Sequence, residues 1–161
     1  MSRKTLGSVF LVAVVLVAVL TAQPASGRPA PVEPVAAGPP AVAVLHAWDQ
    51  RRAEAWGRGE PRLLRPLYTP GSVAGRHDRA MLRAWVARGL VVRELRTQLL
   101  SVRELAHTPT TWTLRVTDRL TGGVAVGPGV RRPLPSDQAT TRTLWLRRVD
   151  GAWVVAAVGP G

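Results

Sequence analysis

The hydrophobic period changes near Leu90, and this change constrains the fold most. Before it, apolar residues recur every three to four positions; after it they alternate, so the chain reads as helices followed by strands. Residues 41–57 place Val44, Leu45, Trp48, Ala55 and Trp56 on one side of a helix that Gly57 closes. Glu60 and Pro61 restart a short helix carrying Leu63, Leu64 and Leu67. A turn at residues 68–72 leads to a third helix that begins at Gly75 or Arg76 and stops at Gly89. Its Met81, Leu82, Trp85 and Val86 face inward.

Residues 91–107 read as one long or bulged strand, or as two strands, because the alternation breaks near residues 98–100. In residues 111–120, Trp112, Leu114, Val116, Asp118 and Leu120 share one face, and Thr111, Thr113, Arg115, Thr117 and Arg119 the other. Four glycines and three prolines make residues 121–136 a loop. Residues 140–149 and 153–159 form a hairpin turned by Asp150-Gly151. Helices followed by antiparallel strands specify an α+β domain whose curved sheet is covered on one face by the helices.

The ends of the chain have a different character. Arg3 and Lys4, an uncharged run over residues 6–20 and the small residues Ala25-Ser26-Gly27 have the form of a secretory signal peptide cut after Gly27; retention as a membrane anchor is the alternative. Residues 28–40, with five prolines, form an extended spacer, so the folded domain runs over residues 41–161. The domain is thereby placed in the secreted fraction or on the extracytoplasmic face of the membrane. The chain has no cysteine, which excludes disulfides, a thiol nucleophile and cysteine-held metals. Its three histidines, at 46, 77 and 107, show no metal-ligand spacing. The formal charge is +12, and apart from Lys4 every cation is arginine. The arginines are scattered rather than run together. That pattern and an exported address exclude nucleic acid as a partner and leave anionic envelope surfaces open.

Residues 48–72, with Trp48, Ala55, Trp56, Gly59, Glu60, Leu63, Leu64, Leu67, Tyr68, Pro70 and Gly71, resemble the opening of the NTF2-like superfamily, which includes SnoaL-like and limonene epoxide hydrolase-like proteins. Glu60 stands where the commoner residue is Asp. Residues 143–158, with Trp153 after a Gly-containing turn, resemble the last hairpin of such domains, in particular of small extracytoplasmic actinobacterial members. The resemblance implies a cone of helices packed on a curved antiparallel sheet, with a pocket at its open end. It implies an enzyme, a ligand carrier or a dimeric scaffold, and does not choose among them.

On the pocket side the sequence offers Asp118, the lone carboxylate on an apolar strand face, as a general base, with His77 or Tyr68 as its catalytic companion. Tyr68, Gln98, Arg142 and Trp145 complete the pocket candidates; Trp145 shares the more polar face of its strand with Thr141, Thr143 and Arg147. No serine has the surroundings of a nucleophile, and the glycines at 122–129 lack the ending of a phosphate loop. With no assembled catalytic set, the leading expectation is non-catalytic binding of a small ligand or an envelope protein, without a cofactor. The alternatives are an epoxide-hydrolase-like enzyme using Asp118 and a basic module on anionic surfaces. A homodimer fits all three.

Overall fold

The computed structural model describes residues 39–161; the signal and most of the spacer read from the sequence lie outside the described residues. The element order is α1 (Pro39–Arg58), a 3₁₀ helix (Pro61–Leu67), α2 (Val73–Val86), then β1 (Val91–His107), β2 (Thr111–Gly127), β3 (Val130–Pro133), β4 (Thr140–Val149) and β5 (Ala152–Pro160). The strands form one antiparallel, curved and unclosed sheet ordered β1-β2-β4-β5, with β3 hydrogen-bonded to β2. This is the α+β, NTF2-like cone layout that the resemblance implied. No described helix is long and apolar enough to cross a membrane.

α1 starts at Pro39 rather than at Ala41, because prolines fit a first helical turn, where no backbone N–H is needed. It also outlasts Gly57. Gly59 (φ 66°) takes the left-handed position, and the Glu60 N–H reaches back to the Ala55 carbonyl at 3.0 Å, a helix-closing motif that needs a glycine one residue past the end. α2 begins earlier than its apolar spacing suggested, since the Ser72 hydroxyl accepts from the Gly75 N–H at 3.3 Å and caps it. Met81 and Val86 are both 40% exposed rather than inward. Leu82, Asp78 and Gly75 take the buried positions.

β1 is a single bulged strand of 17 residues. The largest departure from the sequence reading lies in residues 121–136, where strand continues to Gly127 and turns back as β3 instead of forming a loop. The glycines there serve close approach. A Cβ at Gly127 would stand 2.5 Å from the Gly89 carbonyl oxygen, and one at Gly123 3.0 Å from Leu134. The last hairpin turns where expected: Asp150 and Gly151 both have positive φ (49° and 79°), the turn that matches the twist of paired strands.

The core lies between the inner sheet face and the helices. Leu64 and Leu82 from the helical layer meet Leu114, Val116, Leu146 and Val155 from β2, β4 and β5, all 2% exposed or less. The end of the 3₁₀ helix is stitched to the sheet by the Thr69 N–H donating to the Val155 carbonyl at 3.0 Å. α1 lies against β1. The space between these two elements holds the candidate site.

Candidate functional site

A cleft of about 710 Å³ opens between α1 and β1. One wall is a stripe of α1, namely His46, Asp49, Gln50, Arg52 and Ala53. The other is β1 from Leu95 to Leu99, and Thr121 of β2 adds a hydroxyl. Helical spacing produces the first wall, because residues 46, 49 and 53 recur at three and four positions along α1. Strand alternation produces the second, with Leu95, Thr97 and Leu99 turned inward. The cleft is therefore apolar along β1, with polar groups concentrated on the helix.

Asp49 is the group that stands apart. Among the described residues no hydrogen-bond donor reaches its carboxylate, and no ion pair within 4 Å neutralises it. Burial pushes its pKa up from 3.8 to about 6. Arg52, His46 and Arg142 pull the other way, and the charge of Asp118 adds to the rise. A carboxyl in this state exchanges its proton near neutral pH.

On the inner face of the sheet, Asp118 of β2 pairs with Arg142 of β4, Nη2 donating to Oδ1 at 2.6 Å. The register explains the meeting: Val116 is opposite Arg142 and Asp118 opposite Thr140, so the two side chains lie diagonally on the inner face. Burial raises the Asp118 pKa and Arg142 only partly offsets it. The Nε of Arg142 is buried and has no acceptor among the described residues. The strand runs well beyond Asp118, which keeps this carboxylate in the interior.

Arg52 lines the cleft but spends its charge elsewhere. Its Nε and Nη2 donate to Oδ2 and Oδ1 of Asp78, each at 2.8 Å, in a bidentate clamp. The Trp56 indole N–H (3.1 Å) and the Tyr68 hydroxyl (2.8 Å) donate to the same carboxylate. Burial alone would raise the Asp78 pKa, yet Arg52 with the Tyr68 and Trp56 donors holds it below the ordinary value. Burial and the Asp78 charge in turn drive the Tyr68 hydroxyl far up, so it stays a protonated donor. Four bonds from α1 and the 3₁₀ exit into one α2 carboxylate lock the helical layer together and fix the wall on which Asp49 stands.

The structure therefore sorts the residues singled out in the sequence. Gln98 borders the cleft on β1, but its side chain turns to the outer sheet face, where its Oε1 accepts from the Arg119 Nε at 2.9 Å. Asp118 and Arg142 are paired beside the cleft. Tyr68 is buried in the Asp78 network, and His77 is exposed on α2. Trp145 stands on the outer sheet face, 41% exposed. Sequence reasoning passed over Asp49 and Asp78, and each carried a readable signal. Asp49 lies one helical turn after the buried Leu45. Asp78 lies one and two turns before Leu82 and Trp85, on the apolar side of α2. Among the described residues no three His, Asp or Glu side chains gather as a metal site would need.

No protein-family model and no curated protein matches this chain. Solved structures do. The intermembrane-space region of the chloroplast protein ARC6 superposes with a TM-score of 0.53 at 13% identity, over 76% of this chain and 95% of that one. Aln2 from a Streptomyces species gives 0.51 at 11% identity, over 77% and 91%. An NTF-2 like protein of unknown function from Shewanella oneidensis gives 0.46 at 14% identity, over 73% and 96%. The first two likenesses, at these identities, show the fold alone and leave the function to the site.

Proposed function

We propose that this chain is an exported NTF2-like domain that binds a small, partly apolar molecule in the α1–β1 cleft, with a hydroxyl, amide or ammonium group of that molecule donating to Asp49. The observation that carries the reading is Asp49 itself: a cleft carboxyl without a donor among the described residues, opposite a wall of Leu95 and Leu99. Ligand sites combine apolar walls with a few unsatisfied polar groups in this way. Gln50, Thr97 and Thr121 supply further hydrogen-bonding groups. Export rests on the basic residues 3 and 4 and the apolar run that follows them.

Native mass spectrometry of the chain recovered from its producing cells tests the binding. The wild type is expected to carry a reproducible small adduct that is lost on denaturation, and Asp49→Asn to carry little or none. The same adduct at the same occupancy in both proteins refutes the assignment of Asp49.

A second reading has its own support. Two carboxyls with raised pKa, Asp49 and Asp118, lie within electrostatic reach of one another, and Asp118 is clamped by Arg142. Such a pair supports acid–base turnover of the bound molecule, with Asp118 as base and Asp49 as proton donor. This reading requires Asp118→Asn to keep the ligand and lose its conversion. Loss of both together returns Asp118 to a binding role.

A further inference from the structure

The outer face of the sheet, turned away from the helices, carries a row of side chains that the cleft does not use. Strand register fixes the row: Arg103 of β1 is opposite Arg115 of β2, Arg115 is opposite Thr143 of β4, and Thr143 is opposite Gly159 of β5. The Trp145 ring lies over Gly159, with two ring atoms 2.9 Å from the place a Cβ would take there. The row thus reads guanidinium, guanidinium, a covered threonine, indole. One step to one side, Ser101, Thr117 and Thr141 form a parallel row of hydroxyls, the two threonines 2.9 Å apart. Arg119 and Arg147 flank the rows along β2 and β4, and Arg103, Arg115, Arg119 and Arg147 are all exposed.

Two features separate this face from an ordinary solvated surface. Arg103 and Arg115 are directly opposed across a ladder, and like charges in that position oppose sheet formation. Among the described residues neither has a carboxylate within 4 Å. The sheet's own carboxylates are engaged elsewhere: Asp118 and Glu104 lie on the inner face, with Arg142 and Trp112, and Glu94 lies 3.9 Å from Arg131 on β3. Folding alone gains nothing from this arrangement. A bound anion would reverse the sign of the Arg–Arg term.

We propose that this face binds an anionic polysaccharide, with sugar carboxylates on Arg103 and Arg115, ring hydroxyls on the row of Ser101, Thr117 and Thr141, and one pyranose face stacked on Trp145. Arginine forks match carboxylates bidentately. An indole that rests on a glycine presents its other face outward, as a sugar ring requires. The row crosses strands spaced about 4.8 Å apart, close to the repeat of an extended pyranose chain. A second copy of the chain is the poorer occupant, because this face offers no carboxylate to meet the arginines of a partner copy. A single-stranded nucleic acid is poorer too, since its platforms stack successive bases on several aromatic rings and this row has one.

The test is binding of the full-length chain to polygalacturonate at low salt, compared with neutral dextran, poly-L-glutamate, a single-stranded oligonucleotide and phosphatidylglycerol vesicles. Saturable binding is expected for polygalacturonate alone or well ahead of the rest. Arg103→Gln with Arg115→Gln is expected to weaken it at least tenfold and Trp145→Ala severalfold, whereas Arg65→Gln, an exposed arginine on the 3₁₀ helix, leaves it unchanged. Equal or tighter binding to poly-L-glutamate, the oligonucleotide or the vesicles overturns the proposal. So does an unaffected Trp145→Ala, or no binding even at low salt. Asp49→Asn is expected to bind as the wild type does, which keeps this face separate from the cleft.

Discussion

Replacing Asp49 by Asn is expected to stabilise the protein at neutral pH while emptying its cleft. The folded-state pKa lies near 6 against 3.8 for the free side chain, with burial the largest cause. Between about pH 4 and pH 6 the folded protein holds a proton that the unfolded chain has released, so stability falls as pH rises through that window and stays low above it. A gap of about two pKa units corresponds to roughly 3 kcal/mol at most, at about 1.4 kcal/mol per unit. Relaxation of an open cleft brings the expected figure to about 1–3 kcal/mol. Asn has the same shape and stays neutral throughout. Urea unfolding followed by tryptophan fluorescence at about pH 4, 5, 6 and 7 should then show the wild type losing stability across the series and Asp49→Asn losing less, because only the smaller contribution of Asp118 remains. The two curves meet near pH 4 and differ by about 1–3 kcal/mol at about pH 7, with m-values unchanged. Parallel pH profiles, or a variant less stable at neutral pH, would refute the reasoning that Asp49 is a desolvated carboxyl kept for ligand binding.

Three further outcomes follow from the helical layer and the hairpin. Asp78→Asn leaves Arg52 facing a neutral partner in a closed site and is expected to cost about 3–5 kcal/mol in urea unfolding, with Arg52→Met in the same chain recovering part of the loss. Because the Asp78 pKa is depressed, its contribution is present above the ordinary carboxylate range and is lost as pH falls below it, opposite in sign to Asp49. Gly75→Ala would put a methyl 2.7 Å from Cβ and Cγ of Tyr68; thermal unfolding should show a loss of about 1–3 kcal/mol as the tyrosine is pushed off Asp78. Gly151→Val, at φ 79° in a turn that needs a left-handed residue, is expected to cost about 1–2 kcal/mol by the same measurement.

The elements that sequence reasoning placed well are those whose energy is local. The last hairpin turns at Asp150-Gly151 because that dipeptide accepts positive φ. β1 follows residues 91–107, and the long inner face of β2 follows from simple alternation. The misplacements share a cause as well. Residues 121–136 look like a loop by composition, but their glycines allow β1, β3 and the end of α2 to pack closely around β2, which a count of glycines and prolines cannot reveal. Met81 and Val86 sit outside because the 3₁₀ helix and α1 claim the other side of α2 and direct Asp78 inward instead.

The candidate site divides along the same line. Sequence pattern alone singled out Asp118, since a carboxylate on an apolar strand face is visible in a period of two, and it set Trp145 on the polar face of its strand. It could not show that Arg142 lies diagonally across from Asp118, that Tyr68 is consumed by Asp78, or that His77 faces solvent away from the cleft. Those facts depend on register between strands 24 residues apart in sequence and on which helical faces meet. Asp49 became a candidate only when α1 was laid against β1, because the desolvation that raises its pKa comes from atoms distant in the chain. What the sequence determined by itself was the order of helices and strands and the inward face of most of them, because backbone geometry repeats about every 3.6 or 2 residues. The cleft, its isolated carboxyl and the cationic row on the opposite side of the sheet were decided by tertiary structure. They arise from juxtaposition, to which local periodicity is blind.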